Sequence, residues 1–478
     1  MITLFRTDQI YALDQVKNVL AACIRRLPDK VSPVGVPLQI LRYEFPCEPL
    51  DILTWLHNQQ VPQKIYWSGR SGDFEVGGIG VAGILEGNGP IDHAGVFAYM
   101  EDRLASDNPN LRYYGGMNFH GLPAGRVGPA TRDRHAPTDG ADWRSFGSYR
   151  FVVPRFELLK NGDRTVLAFN IAFKDIGRQT VDVILKDLDA VDFSPTTTYR
   201  RPPKVLRRAD FPDRKGWEAA FAKTKIGNGK FRYDKIVLAR KSAFDFDVYI
   251  DPVALIKHLK DKTPQCFHFC FQTDKTTAFL GASPERLYKR GEGCIETEAV
   301  AGTSPRGASC EEEAALEREL LSCSKNALEH RYVVDAIRET LDELCSGVKV
   351  DPKARLVKLE GGQHLVTRFE GTLRDKVSDD RIVARLHPTP AVAGCPPEEV
   401  LRAIGEIESF DRGWYAGPVG YVGYNESEFA VAIRSALVNH DKLSLYAGAG
   451  IVEGSTAQGE WKEIETKIGN FIEVFNKR

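Results

Sequence analysis

Four strand-like segments between residues 266 and 299 follow one another with connections of only three or four residues. A parallel pair needs a crossover of roughly a dozen residues or more, so such short connections favour antiparallel neighbours. A similar series precedes the end of the chain. Helices interrupt the strands without alternating regularly with them, which predicts an α+β fold. The strands that carry this prediction are Cys266–Gln272, Thr277–Ala282, Arg286–Arg290, Cys294–Ala299, Gly417–Gly423, Glu428–Leu437 and Lys442–Ala447.

The rest of the chain is less uniform. The pattern between Glu311 and Leu344 predicts one long helix that ends at the stop signal of Gly347. Residues 1 to about 200 alternate short β-like runs with connections rich in Gly, Pro and Asp, and their most loop-like stretch is 107–142. The segment 194–204 is typical of a surface connection. We therefore divide the chain into an N-terminal part, residues 1–205, and a second region, residues 206–478.

Composition narrows the classes of function. The net charge of −1 gives no general field that would favour nucleic acid or an anionic membrane. No stretch approaches about 18 uninterrupted apolar residues, so no membrane span is expected. The nine cysteines form no CxxC pair, and free thiols suit a reducing compartment. Because the N-terminal sequence also lacks an apolar signal core, we expect a cytoplasmic protein.

One motif suggests a nucleotide site that the surrounding residues do not support. Residues 78–83 read GIGVAG and match the dinucleotide-binding pattern GxGxxG. That pattern binds a pyrophosphate only where a helix begins at the loop. Here the residues ILEGNGP follow, and their glycines and proline would break a helix at once. A glycine-containing strand is the better interpretation, and dinucleotide binding is not expected.

The final helix combines a charged stripe with an apolar one. Glu460, Glu463 and Lys467 are spaced by three and four residues, so they share one side of the helix. The neighbouring apolar stripe would face the core, and the glycine-rich run YAGAGIV precedes the helix. This combination suits a hard divalent cation and an anionic ligand. The same charge pattern is also common on solvent-exposed helices, which is the alternative.

Two further segments place ionisable side chains at strand ends. Lys235 opens the apolar run KIVLAR, where burial would favour the neutral amine and allow it to act as a general base. Glu285 follows the Ser-Pro corner of GASPE, where partial burial would raise its pKa and make it a proton donor. The alternatives are a lysine that reaches solvent from a strand end and an exposed glutamate in a turn.

Two other segments suit ligand binding. Glu329 lies beside Leu328 and Val333 at the edge of a buried helix face, and with Glu463 it could supply two carboxylates to Mg²⁺. Arg434 ends the apolar run FAVAIR, where a buried guanidinium needs a fixed anion such as a substrate carboxylate. A solvated helix glutamate and an internal salt bridge are the respective alternatives.

These segments belong to a longer ordered set: KIVLAR, GASPE, ETEAVAGTSPRG, LEHRYVV, LHPTPAVAG, FDRGWYAGPVGY, FAVAIR, YAGAGIV and GEWKEIETK. In this set the sequence resembles the chorismate-utilising enzymes, and within them the isochorismate synthases of the menaquinone or phylloquinone type. The resemblance covers about residues 230–475, and the N-terminal part matches only loosely. It implies one large domain of two packed antiparallel β-sheets with outer helices.

The resemblance also implies a mechanism and a site. Mg²⁺, held by Glu329 and Glu463 with support from Glu460, would bind the ring carboxylate of chorismate. Lys235 would take a proton from the water that attacks ring carbon 2, and Glu285 would protonate the hydroxyl that leaves carbon 4. The residues expected to hold carboxylates or to belong to the pocket are Thr303, His387, Tyr415, Arg434, Gly448, Gly450 and Lys467.

Two positions help to choose among the reactions of this family. Relatives that use ammonia typically have glutamine in place of Lys235, and a neutral amide cannot deprotonate water. Aminodeoxychorismate synthases have a nucleophilic lysine where this chain has Ala301. We therefore predict isomerisation of chorismate to isochorismate, with chorismate as the small-molecule partner. The closest alternative is a salicylate synthase. An ammonia-using enzyme similar to anthranilate synthase and a catalytically silent chorismate-binding protein are further alternatives.

Overall fold

The computed structural model describes residues 10–26, 40–104, 108–120, 142–172, 178–199, 203–225, 229–359 and 362–476. Over these ranges the chain forms two antiparallel sheets, of twelve and ten strands, with helices packed around them. The predicted α+β class and the expected pair of sheets are confirmed. None of the helices in these ranges is both long enough and apolar enough to cross a membrane.

The strands of the first half, in chain order, are β1 (Ile40–Pro46), β2 (Lys64–Ser68), β3 (Phe74–Ile79), β4 (Gly83–Gly87), β5 (Arg112–Met117), β6 (Tyr149–Val153), β7 (Phe156–Asn161), β8 (Arg164–Ala172), β9 (Val205–Phe211) and β10 (Lys235–Phe246). Those that follow are β11 (Phe267–Gln272), β12 (Thr277–Ser283), β13 (Arg286–Gly291), β14 (Cys294–Ser304), β15 (Cys345–Val350), β16 (Arg355–Leu359), β17 (Gly362–Leu373), β18 (Gly394–Cys395), β19 (Pro418–Gly423), β20 (Glu426–Val431), β21 (Ser435–Asn439) and β22 (Lys442–Ile451).

The helices within the described ranges are α1 (Leu13–Arg25), α2 (Ile52–Asn58), α3 (His93–Glu101), α4 (Arg178–Asp189), α5 (Arg214–Lys223), α6 (Pro252–Lys262), α7 (Cys310–Ser322), α8 (Ser324–Leu344), α9 (Asp379–Leu386), α10 (Pro397–Ile407) and α11 (Ala457–Asn476). Two of them position the site described below. Helix α8 packs on β14, and helix α11 packs on β22.

Strands from both parts of the chain build each sheet. The first sheet has the order β1-β8-β7-β3-β2-β11-β12-β21-β22-β10-β18, with β9 also paired to β10. The second has the order β15-β17-β14-β13-β20-β19-β5-β6-β4, with β16 also paired to β17. Strands before residue 205 therefore extend one side of each sheet, and the strands that carry the sequence motifs form the other side.

Aromatic side chains fill the space between the sheets. Trp67 on β2 meets Tyr421 on β19 edge to face, with ring centroids 6.2 Å apart. Trp414, which is fully buried ahead of β19, packs against Phe271 on β11 with centroids 6.0 Å apart. Large rings bury much apolar area and favour such edge-to-face geometry. They hold the two sheets in a fixed relationship, which the site requires because its residues come from both.

The single helix predicted over Glu311–Leu344 is wrong, because the structure has two helices there. Cys323 is extended, with φ −70° and ψ 115°, and separates α7 from α8. The Ser322 hydroxyl donates to the Arg318 carbonyl, the kind of local hydrogen bond that competes with helix continuation. The predicted stop at Gly347 is also wrong, since α8 ends at Leu344 and β15 begins with the next residue.

The single strand predicted over Glu428–Leu437 is also two strands. β20 belongs to the second sheet and β21 to the first, and the chain passes between the sheets at residues 432–434. Arg434 in this turn has a φ of +53°. The apolar residues continue through the turn because both of its sides are buried, so the pattern carried no sign of the break.

Two other sequence predictions concern glycine-rich segments. Residues 78–79 end β3, residues 80–82 form a connection and Gly83 begins β4, so the strand predicted for GIGVAG is confirmed only at the two ends of the segment, and no helix begins there. Most of the loop-like stretch 107–142, namely residues 121–141, lies outside the described residues. Residues 200–202 of the predicted surface connection also lie outside them.

Candidate active site

The site lies where two neighbouring chain segments pass from one sheet to the other. One crossing joins β12 to β13 through Pro284 and Glu285, and the other joins β20 to β21 through Arg434. Backbone hydrogen bonds hold the crossings side by side: Ala282 N–H donates to the Arg434 carbonyl and Val431 N–H donates to the Glu285 carbonyl, both at 3.1 Å. An acid and a guanidinium are thereby brought to one place.

A cavity opens beside these crossings and is closed by β10, β22, α8 and α11. Its apolar wall includes Val237, Val300 and Ile433. Polar groups project into it from several different elements, although the corresponding segments are far apart in the sequence. The residues predicted from the sequence that line this cavity are Glu285, Glu329, Tyr415, Arg434, Gly448, Gly450, Glu463 and Lys467.

Glu285 has the environment of a proton donor. Only 3% of its side chain is exposed. Burial, followed by the negative charge of the nearby Glu298, raises its pKa to about 8, although Lys235 and Lys467 act in the opposite direction. A carboxyl with this pKa is largely protonated at neutral pH and can donate its proton.

Lys235 lies immediately behind the cavity wall as the first residue of β10. It has no exposed surface, and its Nζ is 3.1 Å from Oε1 of Glu329. The neighbouring strand makes room for this pair, since a β-carbon at Gly450 would lie 2.5 Å from that Oε1 atom and 3.1 Å from the Lys235 side chain. The predicted burial of Lys235 at a strand start is therefore present, together with a carboxylate partner.

Cationic and hydroxyl groups form another part of the wall. Lys467 Nζ donates to the Gly448 carbonyl at 2.8 Å and to Oε1 of Glu463 at 2.7 Å. Burial lowers the pKa of the Arg434 guanidinium more than nearby acidic groups such as Glu463 raise it. The buried guanidinium can therefore still be stabilised by a further anion. The Tyr415 hydroxyl would lie 3.1 Å from a β-carbon at Gly448. This wall can hold an anion, and carboxylates are the natural partners of a guanidinium.

Three carboxylates from two helices surround one lysine. Lys325 Nζ donates to Oε1 of Glu460 at 2.6 Å. Burial by itself would lower the pKa of Lys325, but the negative charges of Glu460, Glu463 and Glu329 outweigh burial and raise it. Burial and Glu463 together raise the pKa of Glu460. Burial acts in the same direction on Glu463, but Lys467 and other cations outweigh it and lower the pKa of that group.

This arrangement is compatible with a divalent cation. Within residues 229–359 and 362–476, as in the other described ranges, no three Asp, Glu, His or Cys side chains are already gathered into a metal cluster. Mg²⁺ does not need one, because it usually takes one or two carboxylates and fills its other positions with water and substrate oxygens. Oε2 of Glu460 is buried without a hydrogen-bond partner, and Glu329 and Glu463 line the same cavity.

Two predicted residues are placed differently. His387 is not among the residues that line the cavity; its Nε2 is 3.2 Å from the Phe119 carbonyl, and burial lowers its pKa to about 3. Thr303 lies on β14 opposite His364 in the register with β17, and its side chain lies outside the described part of the chain.

Three residues near the cavity were missed by the sequence analysis. His364 lines the cavity, and burial, together with Arg434 and Lys467, lowers its pKa to about 3. Thr389 lies beside Glu285, within a motif that the sequence analysis used only for its histidine. Lys325 could have been found, because it precedes Glu329 by four residues and so shares its helix face. A lone histidine in a strand gave no comparable signal.

The fold and the site together define an enzyme of the chorismate-binding class. The chain belongs to this family, since the family model described as "Chorismate binding enzyme" matches residues 36–476. The resemblance drawn from the motifs is thereby confirmed, and it extends through most of the N-terminal part.

Individual relatives narrow the comparison further. The chain is 34% identical to isochorismate synthase 2, chloroplastic, of Arabidopsis thaliana, over 94% of this chain and 84% of that protein. It is 30% identical to isochorismate synthase MenF of Escherichia coli (strain K12), over 95% of this chain and 97% of that one. The solved structure of MenF, the menaquinone-specific isochorismate synthase from Escherichia coli, matches with a TM-score of 0.79 at 27% identity, covering 96% of this chain and 99% of that chain.

Proposed function

We propose that this protein is an isochorismate synthase, an isomerase that converts chorismate to isochorismate. The observation that carries the proposal is a buried lysine, Lys235, paired with the cavity residue Glu329, together with a largely protonated carboxyl, Glu285, that lines the same cavity. An isomerisation that adds water and removes a hydroxyl needs one group to accept a proton and another to donate one. Relatives named as isochorismate synthases support the same reaction.

Each group has a defined task in this proposal. Lys235 takes a proton from the water that attacks ring carbon 2. The ring double bonds shift, and the hydroxyl on carbon 4 leaves with the proton of Glu285. Arg434, Lys467 and Tyr415 hold substrate carboxylates, and the cavity wall keeps other water away from the reacting face. The net reaction exchanges one hydroxyl for another and needs no oxidant or reductant.

We also propose that the site uses Mg²⁺, held by Glu329 and Glu463 with Glu460 in support. When bound, this ion would neutralise the ring carboxylate of the substrate and so favour the displacement of charge across the ring. The ammonium group of Lys325 offsets the repulsion among these carboxylates. Thr303 and His387 are proposed as pocket residues because they belong to motifs that match the family.

We also propose a cellular compartment for the enzyme and a use for its product. All nine cysteines are free thiols, including the exposed Cys294 and Cys310, which suits a reducing compartment such as the cytoplasm. The likeness to a menaquinone-specific enzyme favours the use of the product in quinone synthesis. We also propose a division of the chain at residue 205. In this proposal residues 206–478 supply the acid, the base and the metal ligands.

Turnover of chorismate tests this function directly. The purified protein is incubated with chorismate and Mg²⁺ without ammonia, and the products are separated by chromatography. We expect isochorismate as the main product. Salicylate as the main enzymatic product would support the salicylate synthase alternative, and anthranilate formed on addition of ammonia would contradict the role of Lys235. Binding of chorismate without turnover would identify a silent binding protein.

A further inference from the structure

An ion pair outside the cavity reaches the backbone on both sides of Glu285. Arg70 lies in the turn between β2 and β3, and Glu298 lies on β14 of the other sheet. The two side chains form a bidentate pair, with Nη1 to Oε1 at 2.7 Å and Nη2 to Oε2 at 2.8 Å. Glu298 is 3% exposed, and Arg70 also packs over the ring of Phe267 at 5.1 Å. Such planar two-point pairs fix geometry as well as charge.

This pair clamps the peptide groups next to Glu285. Arg70 Nη1 donates to the Pro284 carbonyl at 3.0 Å. Oε1 of Glu298 accepts the Arg286 N–H at 2.9 Å. The Glu285 N–H itself donates to the Ser283 hydroxyl at 3.2 Å. The crossing between the sheets therefore has few free backbone groups, and the direction in which the Glu285 side chain leaves the chain is fixed.

The same pair contributes to the charge around the Glu285 carboxyl. Glu298 is a like charge, and after burial it is the strongest influence that keeps this carboxyl protonated. The groups that face Glu285 from the surrounding elements are Glu298 from β14, Lys235 from β10, Lys467 from α11, Thr389 after α9 and Tyr415 before β19. Glu298 is the only anionic group among them, and Arg70 is its partner.

We propose that Arg70 and Glu298 are positioning residues of the active site, which act through Glu285 by fixing its backbone and by setting the charge beside its carboxyl. The proposal rests on the role of Glu285 as proton donor in the proposed function. It gives the N-terminal part of the chain a task in the reaction, since Arg70 belongs to residues 1–205 while its partner and Glu285 belong to the second region.

The pH profile of kcat distinguishes this role from a purely structural one. Glu298→Gln removes the negative charge but keeps an acceptor for the Arg286 N–H, so the decline of kcat at high pH should begin about one pH unit lower. Arg70→Gln removes the charge that offsets Glu298, so the decline should move to higher pH. A structural role would lower kcat in both variants without opposite shifts. Unchanged profiles, or shifts in the same direction, would overturn the proposal.

Folding is checked by thermal unfolding of each variant. If a single variant does not fold, the double variant Arg70→Gln/Glu298→Gln leaves no unpaired ion. Because it still lacks the Glu298 charge, its decline of kcat should begin at a lower pH than in the parent, by less than in Glu298→Gln alone, and its kcat should be lower. A double variant with the parental kcat would contradict the clamp. Glu426→Gln is the matched control, because it removes a carboxylate from another Arg–Glu pair, with Arg112, in the second sheet. An equal shift in this control would also count against the proposal.

A Glu285→Gln background separates this proposal from the proposed function. Glu285→Gln should lose turnover, and adding Glu298→Gln should cause no further loss, because both act through one group. If Glu285→Gln keeps parental turnover, the assigned role of Glu285 is wrong. If it loses turnover while the variants of Arg70 and Glu298 leave the profile unmoved, only the positioning role is wrong.

Discussion

Oε1 of Glu329 lies 3.1 Å from Nζ of Lys235, and it can approach that closely only because residue 450 on the adjoining strand has no side chain. The proposed base and a proposed metal ligand are thus in direct contact, within a space that the sheet backbone defines. A change in any of the three residues should affect the other two. Base strength, metal binding and strand packing are therefore coupled at this point.

Gly450→Ala should reduce turnover while the protein stays folded. The added β-carbon would lie 2.5 Å from the Glu329 carboxylate and 3.1 Å from Lys235, so both side chains would have to move. A displacement of about 1 Å at reacting groups can cost about 10²-fold in rate. Gly291→Ala is the control, since nothing lies within 4 Å of its added carbon. Equal kcat/KM values for the two variants would contradict the tight contact.

Lys235→Met should remove water addition while it keeps a buried side chain of similar length. Loss of a general base typically costs about 10²–10⁴-fold in rate. Lys241→Met provides the comparison, because Lys241 lies on the same strand and pairs with Asp142 at 2.8 Å, away from the cavity. Turnover near that of the parent in a folded Lys235→Met protein, measured by product formation, would remove this residue from the mechanism.

The raised pKa of Glu285 predicts how activity depends on pH. An acid with a pKa of about 8 is protonated below that value, so kcat should decline as the pH rises through about 8. Glu285→Gln cannot donate a proton and should lose most of its activity at every pH. A wild-type kcat that stays constant from pH 7 to 10 would contradict this assignment.

The same group should make the free energy of unfolding depend on pH. Between the ordinary pKa of 4.5 and about 8, the folded protein binds the Glu285 proton and the unfolded chain does not. Stability should therefore fall as the pH rises through this window, by at most about 1.4 kcal/mol per pH unit from this group. Glu285→Gln should reduce that slope in denaturant titrations, and an unchanged slope would argue for an ordinary carboxyl.

Glu329→Gln and Glu463→Gln should each weaken Mg²⁺ binding, because Mg²⁺ prefers charged oxygen ligands. If both act on one ion, the double variant should lose less binding free energy than the sum of the single losses. Isothermal titration of Mg²⁺ measures this without turnover. Glu465→Gln is the control on the same helix, since Glu465 pairs with Arg208 and Arg240 instead. Strict additivity, or Mg²⁺ affinity unchanged in both single variants, would mark Glu329 and Glu463 as ordinary acids.

The sequence was most informative where chemistry coincides with local pattern. Lys235 opens a strand and Glu285 follows one, and the local pattern alone marks both as unusual ionisable residues. Both are buried: Glu285 lines the cavity, and Lys235 pairs with Glu329 in its wall. The crossing at Arg434 could not be seen, because the apolar run is continuous where the chain changes sheets. His364 was equally hidden, since only the pairing of β14 with β17 brings it near the site. Lys235 and Glu285 could be predicted from the residues next to them. The positions of Arg434 and His364 depend on contacts between distant parts of the chain, which local sequence pattern does not encode.

The contribution of the N-terminal part shows the same limit. Arg70 lies in a short turn whose sequence, SGRSGD, indicates only a connection. Its contact with the Pro284 carbonyl joins residues separated by 214 positions. No periodicity or motif near Arg70 points to that partner.

The central claim is that water enters at ring carbon 2 while the original hydroxyl leaves carbon 4, and isotope labelling tests it most directly. The enzyme is given chorismate and Mg²⁺ in H₂¹⁸O without ammonia, and the product is isolated at low conversion, before the reverse reaction contributes. Mass spectrometry and NMR should show isochorismate with one ¹⁸O atom, located on carbon 2. Isochorismate without label would mean that the hydroxyl migrates within the molecule, and it would contradict the assignment of Lys235 as the base that activates water.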